Sequence, residues 1–223
     1  MKKILIKAVF SLLVFAFSFK VTASDKGADT GNAMELWSKY WVEIQSDNKR
    51  FKGKHSKEFF DAFKTKQTPR ITLVTCSDSR VQVTAFDETS QNDTFVIRNA
   101  GNQIQNTLGS VEYGIDHLHS KILLIVGHSR CGAVKAAQGD YSALSPALKK
   151  ELDSLSFDKA LDLHKAVIDN INEQVKFSME HFKSKIKNNE LVVVGMLYDF
   201  TGDYTGQKGS VKLLSLNGKS TEK

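Results

Sequence analysis

The sequence contains only two cysteines, no long basic block, no aromatic stripe interleaved with basic residues, and no internal repeat or low-complexity segment. Two cysteines allow at most one disulfide, so a disulfide-stapled scaffold is excluded. Without a basic block, charge gives no support to a nucleic-acid partner. The apolar run from Ala8 to Phe19 is shorter than the roughly 20 residues a membrane helix needs, so it is not read as a spanning anchor.

What is present is ordinary for a folded protein. A chain of 223 residues with 41% hydrophobic and 25% charged content can bury its own core. Its first residues differ from the rest. Met1-Lys2-Lys3 and Lys7 lead into the apolar run, and Val21-Thr22-Ala23 puts small residues where a signal peptidase cuts. Residues 1–23 are read as an export signal, which makes the mature protein periplasmic or secreted, with no stable membrane anchor after cleavage. Removing Lys2, Lys3, Lys7 and Lys20, with no acid among them, lowers the formal charge from +6 to +2. Export also raises a rival reading for the two cysteines, because an oxidising compartment pairs exposed thiols.

Residues 24–48 are read as a leader and an amphipathic helical arm, and residues 49–223 as the folded domain. Met34, Trp37, Tyr40, Trp41 and Ile44 recur at helical spacing, which predicts a helix that buries both tryptophans, either in the core or against a second subunit. A second helical stretch, Ser56 to Thr65, ends before Pro69. Short β-branched runs then appear at Ile71 to Thr75, Thr94 to Ile97, Ile122 to Val126 and Leu191 to Leu197. Helical patterning fills the gaps at Ser110 to Leu118 and Asp162 to Lys187. This alternation predicts an α/β fold: a mostly parallel sheet of four strands in the order 2-1-3-4, covered by helices, with Val211 to Leu216 as an edge strand.

Two clusters of chemically capable residues begin where strands end. Cys76-Ser77-Asp78-Ser79-Arg80 follows the first strand, and Gly127-His128-Ser129-Arg130-Cys131-Gly132 follows the third. With strand order 2-1-3-4 these two ends flank the point where the chain reverses direction across the sheet, which is where open α/β sheets bind ligands. Cys76, His128 and Cys131 then supply the three sulfur and nitrogen donors of a zinc site with a replaceable fourth position. Thiolates engaged by a metal are also withdrawn from disulfide pairing. Asp78 and Arg80 are spaced to form a bidentate pair. Beside a metal, Asp78 either takes the fourth position or accepts a hydrogen bond from a bound water, whose pKa the metal pulls towards neutrality. The other histidines, His55, His117, His119, His164 and His181, are read as surface residues.

These blocks, with Phe95-Val96-Ile97-Arg98-Asn99-Ala100-Gly101-Asn102, Ser110-Val111-Glu112-Tyr113 and Gly195-Met196-Leu197-Tyr198-Asp199, resemble the ordered signature of the beta-class carbonic anhydrases from about Asn48 to Leu216. The resemblance implies Zn2+, one per chain, on Cys76, His128 and Cys131. It assigns Asp78 and Arg80 as the catalytic dyad and places Gln67, Phe95, Tyr113 and Gly132 in the substrate pocket, part of which a second subunit contributes. It further implies carbon dioxide and bicarbonate as substrates and a homodimer or dimer-based oligomer. Gln82 and Ala133 depart from the family's usual proline and glycine. Leu73 stands where some members carry the tryptophan of a second, inhibitory bicarbonate site; Arg98 and Tyr198 match other parts of that site. Two other functions fit the same motif, namely hydrolysis of a linear molecule such as carbon disulfide and zinc binding without turnover.

Overall fold

The computed structural model describes residues 32–221. The export signal read at residues 1–23, and the leader up to residue 31, lie outside the described residues. The chain divides into two units, residues 1–56 and residues 57–223.

In the first unit, helix α1 spans Ala33–Lys54 and starts from Asn32, whose side chain accepts a hydrogen bond from the Met34 N–H at 2.9 Å. The helix forms as expected, but neither tryptophan is buried. Trp37 and Trp41 are 49% and 46% exposed and stack on each other with centroids 5.7 Å apart. The expectation of a core face is therefore corrected. The helix is the sole described element of its unit, so its stripe has nothing there to pack against.

In the second unit, α2 (Lys57–Asp61) is shorter than the stretch predicted, with Phe59 and Phe63 meeting edge to face just beyond it. Strand β1 (Ile71–Cys76) and strand β2 (Thr94–Asn99) follow. Next come α3 (Leu108–Glu112), which runs into a single π-helical turn at Tyr113–His117, and β3 (Ile122–His128). Helices α4 (Gly132–Gln138), α5 (Pro146–Asp153), α6 (Leu163–His181) and α7 (Lys183–Lys187) precede β4 (Val192–Asp199), β5 (Ser210–Leu216) and β6 (Lys219–Ser220). The sheet order is β2-β1-β3-β4-β5-β6, with the first four strands parallel and the last two antiparallel. The four-strand order and the edge strand are as predicted. The short β6 was not; it follows a two-residue turn in which Asn217 and Gly218 take φ of 45° and 72°, the conformation a tight hairpin requires. The long helix expected over Asp162 to Lys187 is two helices, separated at the buried Phe182.

The layers follow from burial. Five consecutive residues of β1, Thr72 to Cys76, are buried, as befits a strand covered on both faces. Helix α6 turns Ala166, Val167, Ile171 and Val175 onto the sheet, where they join Val74, Ile125, Val193 and Leu197 in the main core. The approach is close. A Cβ on Gly127 would lie 2.5 Å from the Ile171 side chain, so only glycine fits there. On the other face Leu73, Val81, Val126 and Tyr198 form a smaller cluster with Phe86 and Phe200. This packing fixes the C-terminal ends of β1 and β3 side by side.

Candidate metal centre

Cys76 is the last residue of β1, His128 the last of β3, and Cys131 caps α4. All three are buried, and their ligand atoms lie within 4.8 Å of one another. Both cysteines are free thiols, so the rival disulfide is not formed. The His128 Nδ1 donates to the Ser129 carbonyl at 2.9 Å, which leaves Nε2 with its lone pair. That Nε2 is buried and has no hydrogen-bond partner. An unpartnered imidazole nitrogen facing two sulfurs is costly unless a cation occupies the space.

The sulfurs are prepared for the same occupant. A hydrogen bond from the Cys131 thiol holds Cys76 down at about 4 against burial, with the Gly101 N–H adding to the effect. Gly101 reaches the sulfur from a turn at φ 83° that favours glycine. The shared contact with Cys76, together with burial, pushes Cys131 well above its ordinary range, although the N–H groups of Val134 and Ala133 oppose this. The pair therefore gives up one proton easily and keeps the second until a cation replaces it. One imidazole nitrogen and two sulfurs are a donor set that fits Zn2+, with a fourth position left over.

Asp78 and Arg80 meet as the sequence suggested. Arg80 Nε donates to Oδ1 at 2.9 Å and Nη2 to Oδ2 at 2.6 Å, while the Arg80 N–H adds a bond to Oδ1 at 2.9 Å. The guanidinium holds the Asp78 carboxyl down at about 2. Asp78 Oδ2 lies 3.9 Å from His128 Nε2, at the rim of the donor cluster. Arg98 braces the loop beneath, donating to the carbonyls of Cys76 at 3.0 Å, Asp78 at 2.8 Å and Val81 at 2.6 Å. Gln82, where proline is usual, accepts from Arg98 at 3.3 Å and donates to the Ser79 carbonyl at 3.0 Å, so its side chain holds the loop instead.

The structure splits the expected pocket residues. Gly132 sits beside the donors, exposed, with open space where a Cβ would be. Gln67, Phe95 and Tyr113 come together elsewhere. Phe95 and Tyr113 pack with centroids 5.8 Å apart, and Gln67 lines a cavity of about 350 Å3 with Phe95 and another of about 500 Å3 with Tyr113 and His117. Phe95 pairs with Thr72, four residues before Cys76, which places it about 13 Å along the strands from this chain's own donors.

Sequence reasoning missed three residues of the site. Phe200 stacks near His128 with centroids 5.9 Å apart and lies under the Arg80 guanidinium at 4.6 Å. Arg130, at φ 53° between His128 and Cys131, pairs its Nε with Asp203 Oδ2 at 2.9 Å. Their signal in the sequence was positional: the segment after Asp199 follows the carboxyl end of the strand next to β3, where ligand sites form.

Comparison with known proteins agrees with this geometry. The carbonic anhydrase family model matches residues 71–205. A carbonic anhydrase of Helicobacter pylori is 29% identical over 170 residues, which are 64% of this chain and 77% of that protein. Carbonic anhydrase 2 of Mycobacterium tuberculosis is 33% identical over 104 residues, 44% of this chain and 50% of that protein. Among solved structures, the beta-carbonic anhydrase CcaA superposes with a TM-score of 0.70 over 81% of this chain and 95% of its own at 24% identity, a likeness of fold. One of two tetrameric beta-carbonic anhydrases of Sordaria macrospora gives 0.66 over 80% and 98% at 26% identity. With the family model covering more than half of its length and the strand order, the donor cluster and the dyad all in place, the chain belongs to the beta class of the carbonic anhydrases, a family of enzymes.

Proposed function

We propose that this chain interconverts carbon dioxide and bicarbonate, with one Zn2+ held by Cys76, His128 and Cys131. The observation that carries the reading is the buried cluster of three donor atoms within 4.8 Å, with Asp78, paired to Arg80, at its rim. Zinc, when bound, supplies a Lewis acid that makes water a competent nucleophile near neutral pH. The chain's own residues do the rest. His128 presents Nε2 because Nδ1 is committed to the Ser129 carbonyl. Asp78, kept ionised by Arg80, would accept a hydrogen bond from a water beside the donors and so hold its proton in one direction. Arg80 offsets the charge that Asp78 brings to the rim.

Gln67, Phe95 and Tyr113 support a second part of the reading. Phe95 lies too far along the sheet to serve this chain's donors, and Gln67 and Tyr113 are its neighbours, so we assign all three to the site of a second copy, in at least a homodimer. The edge position of β2, the strand that carries Phe95, and the tetrameric state of the Sordaria macrospora relatives support this. Export to the periplasm or beyond is proposed from residues 1–23 alone.

Stopped-flow hydration of carbon dioxide by the purified zinc-loaded protein tests the proposal. A rate no greater than that of buffer overturns it, and turnover of carbon disulfide in its place would assign the site to hydrolysis.

A further inference from the structure

The Phe200 ring stands between two groups of the site. Its centroid is 5.9 Å from that of the His128 imidazole, at 26° between planes, and 4.6 Å from the central carbon of the Arg80 guanidinium. The ring is itself held from behind. Tyr198 lies against it with centroids 6.1 Å apart, and it packs on the cluster of Leu73, Val81 and Val126. Arg80, by contrast, leaves half of its side chain in solvent. Apart from Asp78 its one polar contact among the described residues is the Arg130 carbonyl at 3.3 Å. The bidentate bonds tie the guanidinium to the largely covered Asp78, but they leave its outer side facing water, where nothing polar fixes the plane of the pair. A planar guanidinium laid on an aromatic face gains attraction and orientation together.

We propose that Phe200 is a positioning residue for the dyad: its face fixes the plane of the Arg80 guanidinium, and Arg80 in turn holds the Asp78 carboxylate away from the donors of Cys76, His128 and Cys131. The proposal deepens the carbonic anhydrase reading and rests on it for its kinetic consequence. A purely structural ring would be replaced without penalty by an aliphatic side chain of similar bulk. A positioning ring requires a face.

Two variants of the zinc-loaded full chain separate these cases. Phe200→Leu keeps apolar volume and removes the face, whereas Phe200→Trp keeps a face. In Phe200→Leu the zinc content and melting temperature stay at parental values, while kcat for hydration falls about tenfold; Phe200→Trp stays within about threefold. The Arg80 Nε–H resonance, shifted by the ring in the parent, moves in nitrogen-edited NMR to the position of a solvated arginine in Phe200→Leu and stays shifted in Phe200→Trp. Loss of zinc from Phe200→Leu would mean that the ring serves His128, and would overturn the proposal. An unmoved Arg80 resonance or an unchanged rate would overturn it equally. The zinc and NMR measurements do not need turnover. A parent that fails to hydrate carbon dioxide while its Arg80 resonance follows the ring would therefore overturn the reaction and leave the positioning role standing.

Discussion

The Nδ1 of His128 and the carbonyl of Ser129 are 2.9 Å apart, and because a carbonyl can only accept, this one contact decides which nitrogen of His128 keeps a lone pair to offer a cation. A donor fixed in this way has no substitute. Replacing Cys76, His128 or Cys131 by alanine is expected to abolish both zinc binding and hydration, since a three-donor site has none to spare. Metal analysis of the purified variants checks this, and a full zinc complement in Cys131→Ala would contradict it.

Asp78 and Arg80 should behave differently. Asp78→Asn and Arg80→Ala are expected to retain zinc while hydration falls about 10- to 100-fold, because the dyad governs what lies beside the metal and not its retention. The measurement is a pair of assays, zinc content and initial rate, on the same preparation. Parental rates in either variant would remove the dyad from the mechanism.

Asp199 gives a prediction about acid stability. Burial pushes its carboxyl up, but the N–H groups of Tyr204, Thr205 and Gly202 and the Thr205 hydroxyl outweigh burial and leave it well below the usual carboxylate range. A depressed folded-state pKa contributes stability that is fully present above the unfolded value, about 3.9, and is lost as pH falls below it. Asp78, down at about 2, acts in the same direction. Asp199→Asn should therefore cost about 2 to 3 kcal/mol at neutral pH and flatten the fall in stability between about pH 4 and pH 2. Urea melts across that range read it directly. An unchanged slope would show that the carboxylate is not ionised in the fold.

The separation of Phe95 and Tyr113 from the donors makes assembly measurable through activity. A copy carrying Asp78→Asn and a copy carrying Tyr113→Ala should each be weak alone. Unfolded together and refolded as mixed dimers, half of the population carries one intact site of two, so about a quarter of parental activity should return. Recovery no greater than the sum of the separate variants would mean that Tyr113 acts within its own chain or not at all.

Bicarbonate is expected to inhibit as a product and in no other way. Leu73 is fully buried and apolar, and Arg98 is already committed to the carbonyls of Cys76, Asp78 and Val81 and to Gln82. Arg98 is thus not free to receive an anion there. Inhibition patterns that require a second bicarbonate molecule would contradict this.

Much of this was legible in the sequence because the relevant signals are local. The β-branched runs of β1 and β3 mark strands, and residues at their ends converge wherever the strands are neighbours. Phe200, Arg130 and Asp203 were not legible, since their roles depend on a loop folding back across the sheet ends, which no periodicity encodes. Trp37 and Trp41 show the reverse failure. The helical stripe was real, but whether it is buried depends on what packs against it, and spacing along one helix carries no such information.

The two edges of the sheet are unequal, and this would limit how far an assembly built edge to edge could run. β6 is two residues long and offers almost no ladder to a further strand, whereas β2 presents six residues with one side unpaired among the described residues. Two copies joined β2 to β2 would form a continuous sheet whose outer boundaries are both β6, so growth along the hydrogen-bond direction stops at two. In such an assembly the short hairpin at Asn217 and Gly218 would act as a terminator for the sheet, and lengthening β6 by a few alternating apolar residues would be the shortest route to a fibre.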